Sequence, residues 1–154
     1  MAARPLDVLI VEDEVLLAAE LEFLLEEVGC HAVGHAMSSN EAVSLASALR
    51  PDLALVDVHL QDGPTGVEVA RTIHDKCGGV ALFMTANVKR LPADFAGACG
   101  VIGKPYSSHG VKSALTYLAA CLRDGRAPGP PPIGLELAPA YAERWGLSDL
   151  PRAV

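Results

Sequence analysis

Five residues of this 154-residue chain have the types and spacing to handle a phosphoryl group: Glu12, Asp13, Asp57, Thr85 and Lys104. Each sits at or just beyond the end of a short apolar run. Leu6 to Val11 precedes Glu12-Asp13, Leu53 to Val56 precedes Asp57, Val80 to Met84 precedes Thr85, and Val101-Ile102 comes shortly before Lys104. Three carboxylates gathered in one cleft repel one another, which raises a pKa or demands a cation. Hard oxygen ligands suit Mg²⁺, which binds through one or two carboxylates together with phosphate and water. A lysine adds a point charge and a threonine a hydroxyl donor, completing a cradle for phosphate oxygens. A carboxylate nucleophile with a metal, a lysine and a hydroxyl is the equipment for an acyl phosphate. Singly, each residue has a plainer role: Asp13 a helix cap, Asp57 a turn residue, Thr85 strand filler, Lys104-Pro105 a common dipeptide. Their occurrence together, in this order at successive strand ends, favours chemistry.

The elements that must position them alternate in kind. After the strand Leu6 to Val11, residues Glu14 to Val28 carry a helical stripe of Leu17, Leu21, Leu24 and Val28. A weak second strand, Cys30 to Ala36, precedes a capping box at Ser38-x-x-Glu41. The third strand, Leu53 to Val56, leads to a second box, Thr65-x-x-Glu68, opening a helix with Val67, Ala70 and Ile73 inward. Val80 to Met84 is the fourth strand, and the poorly patterned stretch Val88 to Phe95 has room for one small helix. Val101-Ile102 is a short fifth strand. Ser107 or Ser108 then caps a last helix carrying Val111, Leu115, Leu118 and Leu122, stopped by Gly125. Five βα units in succession predict an α/β fold: a doubly wound, five-stranded parallel sheet with helices on both faces. With flavodoxin-like strand order 2-1-3-4-5, the ends of strands one, three, four and five lie side by side. Ligands collect beyond those ends.

Composition excludes several functions. The formal charge of −7, with no lysine or arginine cluster, repels a phosphate backbone, so no direct nucleic-acid partner is expected. The apolar runs are strand-sized, so no membrane span is expected, and Met1 to Pro5 lacks the pattern of a signal peptide. A cytoplasmic location follows as the expectation. Cys30, Cys77, Cys99 and Cys121 are scattered and read as buried small hydrophobes. His31, His35, His74 and His109 show no ligand spacing and are expected at the surface or core edge. Six of the eleven prolines fall in the last thirty residues. The expected division is therefore a domain at 1–124 and a Pro-rich tail at 125–154. Within that tail, Pro139 to Gly146 could form a helical turn or two carrying Tyr141 and Trp145, and a lone tryptophan there suits a docking segment.

Four stretches, in order, resemble the receiver domains of bacterial two-component response regulators: Val8-Leu9-Ile10-Val11-Glu12-Asp13-Glu14; Leu55-Val56-Asp57-Val58-His59-Leu60 with Gly63; Phe83-Met84-Thr85-Ala86; and Gly103-Lys104-Pro105-Tyr106. The resemblance covers about residues 5 to 124. It implies a phosphoprotein of signal transduction in which Asp57 takes phosphoryl from a sensor histidine kinase or a histidine phosphotransferase. It further implies Mg²⁺ held by Asp13 and Asp57 directly, by Glu12 directly or through water, and by the backbone carbonyl of His59. Thr85 and Lys104 would bind phosphoryl oxygens, and the Lys104-Pro105 bond would be cis. The family's aromatic switch position, three before the lysine, is Val101 here. A rearranged switch is expected, with Thr85 still moving and Tyr106 as the nearest aromatic. The stretch between Thr85 and Lys104 is a few residues short, which predicts a short fourth helix. The implied function is a stand-alone module, monomer or weak dimer, that catalyses only its own phosphorylation and dephosphorylation and is open to readout by a protein effector. A phosphatase of the haloacid-dehalogenase type would need an aspartate two residues after the nucleophile, where this chain has His59.

Overall fold

Consecutive apolar residues leave a strand no polar face, and β1 (Asp7–Val11) accordingly buries both sides. Val8 and Ile10 enter one core, Leu9 and Val11 the other. β3 (Leu53–Asp57), β4 (Val80–Thr85) and β5 (Gly100–Gly103) are buried in the same way. The structure, a computed structural model, describes residues 4–147. With β2 (His31–Ala36), these strands form a parallel sheet in the order β2-β1-β3-β4-β5. Helices α1 (Val15–Glu27) and α4 (Ser108–Asp124) cover one face, with Leu21, Leu25, Leu115 and Leu118 packed on Val8 and Ile10. Helices α2 (Ser39–Leu49) and α3 (Gly66–Thr72) cover the other through Ala42, Ala46, Val69 and Ala70. Among the described residues no helix is long and apolar enough to cross a membrane.

The expected caps form unevenly. Ser38 Oγ accepts from the Glu41 amide at 3.3 Å, while the Glu41 carboxylate reaches the Met37 amide. Ser107, rather than Ser108, caps α4 by accepting from the Gly110 amide at 2.9 Å, and Gly125 ends that helix at φ 72°. Thr65 makes no cap: its backbone is not in the extended N-cap conformation (φ −93°, ψ −3°), and its hydroxyl is turned to donate to Asp62 at 2.7 Å.

Two features depart from the expected architecture. Between β4 and β5 there is no α-helix; the short fourth helix is replaced by single 3₁₀ turns at Val88–Arg90 and Phe95–Gly97. Pro92 holds Leu91 in an extended conformation (ψ 143°), which stops the first turn from propagating. The sheet also has six strands, not five: β6 (Leu135–Leu137) pairs antiparallel with the β5 edge. Gly100 permits this pairing, since a Cβ there would lie 2.3 Å from the Glu136 carbonyl oxygen. The following helix, α5 (Pro139–Arg144), matches the expected helical turns, but its aromatics face inward. Tyr141 and Trp145, expected to await a partner, are 5% and 4% exposed within the core beneath α1 and α4. Their ring centroids lie 5.1 Å apart with the planes tilted by 60°, and the Ala138 amide donates to Cys99 O at 2.8 Å. Tyr117 on α4 donates to Gly129 O at 2.7 Å, tying down the proline-rich stretch. The remainder of the expected tail, residues 148–154, lies outside the described residues, as does Met1 to Ala3.

Candidate functional site

The site assembles where the central strands stop. Glu12 and Asp13 follow β1 directly, Asp57 and Thr85 are the last residues of β3 and β4, and Lys104 follows β5. Parallel pairing keeps these ends level: Asp57 stands opposite Met84, and Thr85 opposite Gly103. One carboxylate oxygen from each of Glu12, Asp13 and Asp57 lies within 4.8 Å of the others. Lys104 Nζ donates to Glu12 Oε1 and to Asp57 Oδ2, both at 3.1 Å. The Lys104 amide donates to Thr85 O at 2.8 Å, so the lysine and the threonine are joined through the backbone. Lys104-Pro105 is cis.

Electrostatics follow from this crowding. Burial pushes the Glu12 carboxyl up to about 7, and the negative charge of Asp57 adds to the rise. The Glu14 amide, which donates to Glu12 Oε2 at 3.2 Å, and the Lys104 ammonium pull it back. For Lys104, burial lowers the pKa, but hydrogen bonding and attraction to Asp57 and Glu12 outweigh it and the pKa is raised. The ammonium therefore stays charged between two carboxylates. Oxygen donors of three carboxylates from two adjacent strand ends, gathered within 4.8 Å of one another, fit a small divalent cation.

Other expected residues take distinct positions. Thr85 is buried, and its hydroxyl accepts from the Asn87 amide at 3.1 Å. His59 is exposed, and its amide donates to Asp57 Oδ1 at 3.3 Å. Val101 is fully covered, packed with Phe83, Ala96 and Ala98. Tyr106 is partly buried beside the site, with its hydroxyl oxygen enclosed and lacking a hydrogen-bond partner among the described residues. With Leu17, Glu20, Ala86, Lys104 and Pro105 it lines a cleft of about 300 Å³. Two residues escape the sequence reading. Gly66 lets α3 start directly against β3, because a Cβ there would lie 2.1 Å from Asp57 O. His35, expected at the surface or core edge, is partly buried and places Nε2 2.7 Å from Glu12 O. A glycine opening a helix was the available signal for the first. For the second, the sequence carries none.

Comparison with known proteins agrees with this geometry. Residues 8–116 match the response regulator receiver domain family. The phyllosphere-induced regulator PhyR of Methylorubrum extorquens is 33% identical over 112 residues, covering 71% of this chain and 42% of that protein. The transcriptional regulatory protein PdtaR of Mycobacterium tuberculosis is 34% identical over 126 residues, covering 80% and 61%. The chain thus spans less than two thirds of each relative's length. Among solved structures, the receiver domain of Erythrobacter litoralis PhyR superposes with a TM-score of 0.67 at 25% identity, covering 84% of this chain and 97% of that one. The anti-anti-sigma factor PhyR from Bartonella quintana gives 0.59 at 28% identity, covering 70% and 44%. Sequence, strand order and the acidic cluster agree: the chain belongs to the response regulator receiver domain family.

Proposed function

We propose that this chain is a cytoplasmic receiver that takes a phosphoryl group from a partner's phosphohistidine onto Asp57 and changes its binding to other proteins in consequence. The observation that carries the reading is the placement of Lys104 Nζ 3.1 Å from Asp57 Oδ2, inside a cluster of three carboxylates. Asp57 Oδ attacks phosphorus; the P–O bond forms as the P–N bond to imidazole breaks, and the histidine leaves with the electron pair. Lys104 neutralises charge on the incoming phosphoryl oxygens, and Thr85, whose hydroxyl oxygen accepts from the Asn87 amide, has its hydrogen to donate to another. Glu12, Asp13 and Asp57, with the His59 carbonyl, would hold Mg²⁺. When bound, that ion supplies charge stabilisation for the transferring group.

The surface around the site supports a protein donor. On α1, which begins two residues after Asp13, Leu16 is 86% and Phe23 61% exposed. The cleft beside Tyr106 and Lys104 borders the same helix. An apolar helix face at the mouth of a charged site suits a helical, histidine-bearing partner such as a kinase or phosphotransferase. The chemistry lies within residues 1–124, and the described part of 125–154, up to Leu147, supplies covering structure rather than reacting groups. Incubation with acetyl phosphate and Mg²⁺, followed by intact mass, tests the reading. One added phosphoryl group is expected. No adduct, or steady turnover of unrelated phosphate esters, would overturn it.

A further inference from the structure

β2 does not pair evenly with β1. Val8 stands opposite Ala32, but Leu9 stands opposite Gly34, so Val33 is an extra residue in the ladder. Bulges of this kind re-aim the side chains that follow them. Without the insertion His35 would stand opposite Val11, whose side chain enters the core under α2 and α3. With it, His35 stands opposite Ile10 and lines a cleft under α1 with Val15 and Ala18. Most of the residues lining that cleft are apolar. The imidazole makes one hydrogen bond among the described residues, to the backbone carbonyl of Glu12 at 2.7 Å.

Glu12 is the first residue beyond the β1 ladder, where regular pairing no longer supplies its carbonyl with a partner. Its amide is held by Ala36 O at 2.9 Å. Its carbonyl is held by His35. A carbonyl only accepts, so Nε2 must carry the hydrogen. Both peptide groups of one carboxylate-bearing residue are thereby fixed by β2, immediately before Asp13.

We propose that His35 is a positioning residue for the divalent-cation site: its Nε2–H clamps the Glu12 carbonyl and so fixes where the Glu12 and Asp13 carboxylates stand. The clamp rests on the reading of those carboxylates as cation ligands. It acts through the backbone and touches neither metal nor phosphate. Outer partners of ligands typically change metal affinity by about tenfold or more when removed.

The test is calorimetric titration of the full chain with Mg²⁺. His35→Leu removes the donor, His35→Gln places an amide N–H near the position of Nε2, and His35→Asn offers the same group one methylene short. Binding roughly tenfold weaker is expected for Leu and Asn, with Gln restoring affinity to near the native value. If the leucine variant does not fold, the Gln and Asn pair decides alone. Native affinity in the folded Leu or Asn variant, or equal loss in Gln and Asn, would overturn the clamp while leaving the cation site standing. Failure of the unsubstituted chain to bind Mg²⁺ at all would overturn both.

Discussion

Gly66 packs so tightly against Asp57 that a β-carbon at Gly66 would lie 2.1 Å from the Asp57 carbonyl oxygen. The two are also joined through the neighbouring peptide, where the Gly66 amide donates to Val58 O at 2.9 Å. The start of α3 is therefore seated on the residue proposed to be phosphorylated. Gly66→Ala must push the helix or the loop away, costing about 1–3 kcal/mol as an overpacking change. Phosphorylation from acetyl phosphate should slow with it, because Asp57 loses its fixed backbone. Gly129→Ala, which meets open space, should leave both thermal melting and labelling alone. Equal behaviour of the two variants would contradict the packing argument.

Asp57→Asn should abolish the phosphoryl adduct and leave the fold intact. The substitution removes one member of a repelling trio, while Lys104 retains Glu12 as a partner at 3.1 Å. Thermal melting should stay level or rise slightly. Labelling of the variant at the native rate would show that another carboxylate is the acceptor.

Glu12 makes stability depend on pH in a direction opposite to that of an ordinary salt-bridged acid. Its folded pKa of about 7 lies above the ordinary glutamate value of 4.5, so between the two the folded chain holds a proton that the unfolded chain has released. Stability without divalent cation should fall as pH rises through that window and level off above it, by on the order of 1–3 kcal/mol. Glu12→Gln should flatten the profile. Mg²⁺ added above pH ~7 should restore stability by binding the folded form. Chemical denaturation across the window, in chelator, reads the slope. A native profile no steeper than that of the Gln variant would refute the assignment.

The site is legible in the sequence for a physical reason. Strands buried on both faces read as continuous apolar runs, and right-handed crossovers leave little choice of order, so the residues at their ends can be placed without coordinates. What stays hidden depends on distant backbone. β6 has three residues, too few to show a period, and the glycine that admits it, Gly100, lies on another strand. Thr65 carries the letters of a capping box, but its backbone is not in the extended N-cap conformation and its hydroxyl is turned toward Asp62. Tyr141 and Trp145 do belong to an interface, but that interface is the chain's own core. The bulge at Val33 is a matter of pairing alone, and His35 gains its position from it.

Phosphorylation should be read out through the segment that follows β4. Thr85 must bring its hydroxyl toward a phosphoryl group on Asp57, and any shift of that oxygen pulls on the Asn87 amide, which now donates to it at 3.1 Å. That amide opens the segment leading to the 3₁₀ turn Val88–Arg90. Further along, Phe95 and Ala96 both adopt positive φ, 55° and 51°, a conformation costly for residues with a β-carbon. The segment has little regular structure to hold it. Beneath it Val101 is fully buried and β-branched, with few rotamers, so it cannot report the movement as a swinging ring would. The response should instead be reordering of the segment itself, together with Tyr106, whose enclosed hydroxyl has no partner to lose among the described residues. Amide exchange with and without a beryllofluoride mimic should therefore change most across residues 86 to 106, beginning at Asn87. Thr85→Val, which has no hydroxyl for either contact, should remove the mimic's effect on that stretch. The largest change falling elsewhere in the domain, or a full response in the valine variant, would sink the proposal.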